Sequence, residues 1–325
     1  MNESILIIMP DFFDYPQIIR ETLKAKSIEA DVVIEKVPNN FVKKIEKKAF
    51  KKIYEKTIRK AHRSMIQSIE NKKYTKVVYV FGGFYGRRQF ISDLRKKFNE
   101  AVFIYYNRDT VSNFPRVLEF VDLFDYKFSF DKKDCYKYNF TFLPLFYSSK
   151  YCFNTEKNNQ CLCLMTFSHR KANDVDSLLK SLPNYIKVKK IFYMNSKVSY
   201  VYNYLIHFKE FRKFKYKDFV FKKISYQESM KLISEFKYII DAPLKGQNGL
   251  TIRTLESFSN KTKIITSNRN ILEYDLYNPN NVFLINSKND DGFFAKPFSN
   301  SECIKKYELD TFLDNLLMIK SEEDA

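Results

Sequence analysis

A chain of 325 residues has room for two ordinary domains, and 45% hydrophobic residues with 32 Phe and 23 Tyr exclude a disordered polypeptide. The formal net charge of +18 invites a polyanionic partner. Lys, Asn, Ile, Tyr and Phe are abundant together, however, as in chains from AT-rich genomes, so where the charge concentrates matters more than its total.

No apolar run approaches the ~20 residues that cross a bilayer. The opening MNESILIIMPDF lacks the basic n-region of a secretory signal, which points to a cytosolic protein. Five cysteines, at 135, 152, 161, 163 and 303, have no metal-ligand spacing, and only three histidines accompany them, so no metal site is expected.

Ser4–Met9 (SILIIM) reads as a buried first strand broken at Pro10. Asp11 and Asp14 follow in the loop, and a helix at 17–25 and a strand at 31–34 complete a βαβ unit. A carboxylate after the first strand is placed to deprotonate an acceptor hydroxyl, but capping of the helix is the simpler account of Asp14.

Residues 41–70 read as one long amphipathic helix carrying the densest positive segment, including Lys47, Lys48, Lys51 and Lys52. That face is either simply solvated or a dock for an anionic membrane leaflet, worth roughly 1 kcal/mol per basic residue near the surface. Lys76–Phe81 (KVVYVF) is the next buried strand. Gly82, Gly83 and Arg87 behind it could approach and meet an anionic acceptor, or form a plain turn. A strand at 101–106 ends in Asn107-Arg108-Asp109, making Asp109 a second candidate base, and strands at 126–130 and 141–146 follow. Strand–helix alternation over 1–148 is expected to give a doubly wound α/β domain, with a polar linker at 149–160.

The second domain, expected over 161–302, opens with a strand at 161–167, in which Cys161 and Cys163 share a core face. Ser168-His169-Arg170-Lys171 lies at its carboxyl end. Helices at 174–182, 200–214 and 225–235 alternate with strands at 190–194 and 218–222. A strand at 238–241 then ends on Asp241, and a loop with Gly246, Gln247 and Gly249 leads through Leu250 and Thr251 into a helix with Ile252, Leu255 and Phe258 on one face. Lys263–Thr266 is the closing strand of this βαβ unit. Open α/β sheets bind ligands at such strand ends, and a helix N-terminus suits a phosphate. Arg253 and Glu256, three apart, could grip a diphosphate and ribose hydroxyls, or be a surface ion pair. The strand at 282–285 and a helix at about 310–319 finish the chain.

The run G-L-T-I-R-T-L-E at 249–256 followed by K-T-K-I-I-T-S-N at 261–268 resembles the donor-site βαβ of GT-B glycosyltransferases that build bacterial capsule and lipopolysaccharide-like surface glycans. FSFDKKDCYKYNFTFLPLFY, at 128–147, is similar to the stretch that closes their N-terminal domain. The resemblance implies two Rossmann-like domains facing across a cleft, with the terminal segment 303–325 crossing back to the first. It implies a nucleotide-sugar donor as co-substrate, no required cofactor, and a glycan or lipid-linked acceptor at the inner face of the cell membrane. Donor contacts would come from Ser168, His169, Arg170, Asp241, Gln247, Gly249, Leu250, Thr251, Arg253 and Glu256.

What is missing narrows the choice. There is no G-x-x-x-x-G-K-S/T loop, no G-x-G-x-x-G after the first strand and no G-x-S-x-G elbow. Asp122 and Asp125 do not have the Asp-x-Asp spacing of metal-dependent sugar transferases. A metal-independent two-domain transferase survives these absences, and the resemblance implies that it is a glycosyltransferase. A basic nucleic-acid-binding protein and a non-catalytic sugar-nucleotide-binding subunit are the rivals, and the lack of a recognisable nucleic-acid motif argues against the first.

Overall fold

The computed structural model describes residues 3–35, 51–81, 86–285 and 292–318. Two compact units divide the chain: Met1–Leu143 grouped with Leu313–Ala325, and Pro144–Phe312.

The first unit is built on β1 (Ser4–Met9), β2 (Glu29–Ile34), β3 (Lys76–Phe81), β4 (Val102–Asn107), β5 (Tyr126–Ser129) and β6 (Thr141–Phe142), with spatial order β2-β1-β3-β4-β5-β6. Every described pairing in it is parallel. Parallel strands need helical crossovers that cover both faces of the sheet, which is why β1 is buried along its whole length and reads as an unbroken apolar run. The crossovers use α1 (Tyr15–Ala25), α2 (described over Lys51–Ser68) and α3 (Arg88–Lys97), and α4 (Lys132–Tyr138) connects β5 to β6. Asp131 caps α4, accepting from the Lys133 and Asp134 amides. Aromatic rings fill the core on one side of the sheet, with Tyr79, Phe90, Tyr105 and Phe120 all buried there.

The second unit carries β7 (Asn158–Thr166), β8 (Val188–Tyr193), β9 (Phe219–Val220), β10 (Phe236–Asp241), β11 (Lys263–Thr266) and β12 (Val282–Leu284) in the order β12-β11-β10-β7-β8-β9, again all parallel. Its helices are α5 (His169–Lys180), α6 (Lys197–Ile206), α7 (Phe208–Phe211), α8 (Tyr226–Ser234) and α9 (Ile252–Ser259), and α10 (Leu309–Leu317) begins in this unit and ends in the segment grouped with the first. Cys161 and Cys163 are fully buried core thiols, and burial pushes the Cys163 thiol up to about 12. Phe167, Phe192, Phe211 and Phe219 pack edge-to-face and stacked beside them.

Several expected boundaries move. The helix expected at 174–182 begins five residues earlier, at His169, because Ser168 caps it. The helix expected at 200–214 is two, α6 and α7, broken at His207. The strand expected at 141–146 shrinks to Thr141–Phe142, after which the Leu143 amide makes the last bond to β5, to the Ser129 carbonyl at 2.9 Å. Gly82, Gly83, Lys47 and Lys48 lie outside the described residues.

Candidate functional site

In the second unit β7 and β10 are neighbours, and the strand numbering runs away from them in opposite directions. That is a topological switch point, where the connections leave to opposite sides and open a crevice beyond the strand ends. The crevice is framed by the N-terminal turns of α5, after β7, and α9, after β10. Each helix start is capped by a hydroxyl. Ser168 Oγ accepts from the Arg170 amide at 3.3 Å, and Thr251 Oγ1 accepts from the Thr254 amide at 3.2 Å.

Asp241 ties this end of the sheet together. It is buried, and its carboxylate accepts from Thr251 Oγ1 at 2.8 Å to each oxygen and from Thr254 Oγ1 at 2.6 Å. Its backbone carbonyl accepts from Thr266 Oγ1 at 2.7 Å. Asn268 Nδ2 donates to the Gly249 carbonyl at 3.2 Å, and Ser267 Oγ donates to Asp174 Oδ2 at 2.7 Å. The ends of β10 and β11 and the starts of α5 and α9 are thus joined by polar side chains whose partners are fixed before any ligand arrives. Gly246, with φ of +88°, turns the loop ahead of α9, and Gln247 accepts from the Leu244 amide within that turn. Leu250 is buried beneath it.

Lys171 is the functional candidate that motif spacing did not single out. It lies in the first turn of α5 and is half-buried, with Asp241, Arg253 and Asp174 as its charged neighbours. Burial holds its ammonium below the usual lysine range, with Asp241 and Asp174 acting in the opposite sense. Burial raises Asp174 in turn. Among the described residues the Lys171 ammonium makes no hydrogen bond or ion pair, although it sits where two helix N-termini converge. With carboxylates near it but none bonded to it, its ammonium is open to an anionic ligand at the two helix starts. Arg170, its neighbour, is exposed. His169 stacks on His207 with ring centroids 3.6 Å apart, and burial and then the His207 ring hold it below the usual histidine range.

Arg253 and Glu256 do pair, with Arg253 Nη1 2.7 Å from Glu256 Oε2, but not at the surface. Glu256 is only 2% exposed, and Arg253 also donates to Ser229 Oγ of α8 at 2.9 Å. The pair is therefore built into the α8–α9 packing.

In the first unit the switch point falls between β1 and β3. Phe13 and Asp14, in the loop after β1, both take left-handed backbone conformations, at φ +45° and +61°. Asp adopts this region more readily than most residues, so the strain falls mainly on Phe13. Asp14 occupies the N-cap position of α1 but makes no side-chain capping bond. The Arg108 guanidinium lies over the Phe12 ring at 3.8 Å, joining the loop that carries Asp14 to the one that carries Asp109. Arg87 is held by Glu55 of α2 through two bonds, Nε to Oε2 at 2.8 Å and Nη2 to Oε1 at 2.9 Å. That contact holds the Glu55 carboxyl below the usual range. Lys51 begins the described part of α2, and Lys52 beside it is exposed. No group of three His, Cys, Asp or Glu placed to hold a metal ion occurs among the described residues, and no described helix is long and apolar enough to cross a membrane.

Neither a family model nor a curated protein matches this sequence. Solved structures do match its fold over nearly the whole chain. Sucrose-phosphate synthase from Thermosynechococcus elongatus superposes with a TM-score of 0.64 at 10% identity, covering 98% of both chains. The UDP-forming α,α-trehalose-phosphate synthase from Burkholderia vietnamiensis gives 0.63 at 9% identity, covering 98% of this chain and 100% of its own. HepE of Anabaena, in complex with UDP and glucose, gives 0.56 at 10% identity, covering 97% and 99%. With its two six-stranded parallel sheets, the chain has the paired Rossmann-like domains of the GT-B glycosyltransferases.

Proposed function

We propose that this protein is a glycosyltransferase that takes a sugar from a nucleoside diphosphate sugar, with the donor bound at the switch point of the second unit. The observation that carries this reading is Lys171, a half-buried ammonium that makes no hydrogen bond or ion pair among the described residues, set between the N-termini of α5 and α9. A diphosphate oxygen can accept from that ammonium, and both helix ends offer it free amide donors. The structural neighbours named above support uridine diphosphate as the first donor base to test, since HepE was solved with UDP and the trehalose-phosphate synthase is UDP-forming.

In the transfer an acceptor hydroxyl oxygen forms a bond to the sugar's anomeric carbon. The bond from that carbon to the phosphate oxygen breaks, and its electron pair leaves with the diphosphate. Lys171, Arg170 and the helix amides stabilise that departing charge. Asp241 holds the start of α9 in place, and Ser168, Gln247, Gly249, Leu250 and Thr251 shape the pocket around the phosphates. Glu256 and Arg253 fix one wall of the pocket against α8. If the reaction inverts the anomeric centre, Asp14 or Asp109 of the first unit takes the acceptor proton. We assign residues 1–148 to the acceptor and 161–302 to the donor, with a bacterial surface glycan or its lipid-linked precursor as acceptor class and no metal requirement.

The test is release of UDP from a panel of UDP-sugars by the purified protein, with and without EDTA. Turnover of one donor that persists in EDTA and is lost in Lys171→Met supports the reading. Absence of release and of binding with every donor tried would overturn it.

A further inference from the structure

An amphipathic helix on a soluble domain normally turns its apolar residues inward. In α6 the opposite side is apolar as well. Tyr200 is its buried anchor, while Val198, Val201, Tyr202 and Leu205 recur at the i, i+3, i+4, i+7 spacing on the outward face, with Leu205 73% and Val198 64% exposed. Ile206 and Phe208 extend the patch to the start of α7, and Tyr216 is exposed on the turn before β9. Seven of the fourteen large hydrophobic side chains exposed among the described residues fall between 198 and 216, so the patch is a local concentration and not the usual scatter.

The charge around it is one-sided. Lys197, Lys209, Arg212, Lys215 and Lys217 are exposed in the same segment, Lys213 beside them is paired with Asp176 of α5 at 3.2 Å, and Glu210 is the sole acidic side chain within the segment that is not buried. A second copy of this chain docking face to face would set those basic rims against each other. An anionic lipid surface complements them, accepts the aliphatic side chains, and suits tyrosines, whose rings are apolar with a polar tip.

We propose that α6 and the segment running to Tyr216 form a membrane-docking surface, in which the Val198–Leu205 face enters the headgroup boundary of an anionic bilayer and the flanking lysines and arginines bind its phosphates. The chain contains no tryptophan, which gives a direct reporter. In Leu205→Trp, vesicles of equal parts phosphatidylglycerol and phosphatidylcholine should shift the emission to the blue, and phosphatidylcholine alone should not. In a sedimentation assay, Val201→Ser/Leu205→Ser/Ile206→Ser should bind the same anionic vesicles roughly tenfold or more weakly than the wild type, because it loses apolar insertion at unchanged charge. Its melting temperature should be preserved, since these side chains are exposed. Equal binding by the triple variant would assign vesicle affinity to general positive charge and overturn the proposal. An unshifted tryptophan would also overturn it, as would a wild-type dimer that the triple variant abolishes. None of these readouts uses donor binding, so they stand or fall separately from the transferase reading.

Discussion

The Thr254 hydroxyl donates to Asp241 Oδ2 at 2.6 Å, linking the first turn of α9 to the last residue of β10. A buried carboxylate at a helix N-terminus gains from the dipole, but only while its hydrogen-bond donors are in place. Thr254→Val removes one donor at nearly constant shape. It should cost about 1–3 kcal/mol of stability, the usual penalty for leaving a buried polar group short of a partner. Chemical denaturation of the two proteins measures this, and an unchanged midpoint would show that Thr251 alone satisfies Asp241.

Arg253 and Glu256 give the second expectation. Because Glu256 is buried, Arg253→Ala strands a carboxylate in the interior and should destabilise the fold by about 3–5 kcal/mol. Replacing both with Met should recover much of that loss, since the charge to be compensated is gone. A surface pair would instead cost less than about 1 kcal/mol in either variant. Thermal melts of the single and double variants distinguish the two cases.

Asp134 sets a pH dependence. Burial raises its carboxyl to about 6 from the usual 3.8, while it accepts from the Val111 amide at 2.7 Å. The folded state therefore holds this proton more tightly than the unfolded chain does. Its contribution is fully present below pH 3.8 and is lost as pH rises through about 6. Asp134→Asn keeps an acceptor for Val111 without the charge. It should be more stable than the wild type at pH 8, and the difference should close near pH 4. A difference that does not change with pH would remove Asp134 as its source.

Much of the fold was legible because parallel strands buried on both faces are written as continuous apolar runs. SILIIM, KVVYVF and KIIT announce β1, β3 and β11 without any help from periodicity. The start of α5 was not legible. Its first turn, His169-Arg170-Lys171, is polar, and the apolar period begins only at Ala172 and Val175, so a capped helix start looked like a loop and Lys171 like one more basic residue. The burial of Glu256 was equally hidden, because i, i+3 spacing is the same for a solvated pair and for one clamped between two helices. The exposed side of α6 was not legible either, because the sequence shows only a helix at 200–214 there. Apolar side chains all round a helix do not say which side is covered, and only the structure reveals that one side stays exposed.

The donor site itself is tested most directly by calorimetric titration of the wild type and Lys171→Met with UDP, and with GDP, CDP and ADP as controls. Burial disfavours the lysine's charge, so methionine should leave the melting temperature equal or higher, and any loss of binding then reports on the ligand. The expected result is saturable binding of one nucleoside diphosphate, weakened in Lys171→Met by about 1.5–3 kcal/mol, the range for a charged hydrogen bond. Equal affinity in the two proteins, or no binding of any nucleoside diphosphate by the wild type, would contradict a diphosphate site between α5 and α9.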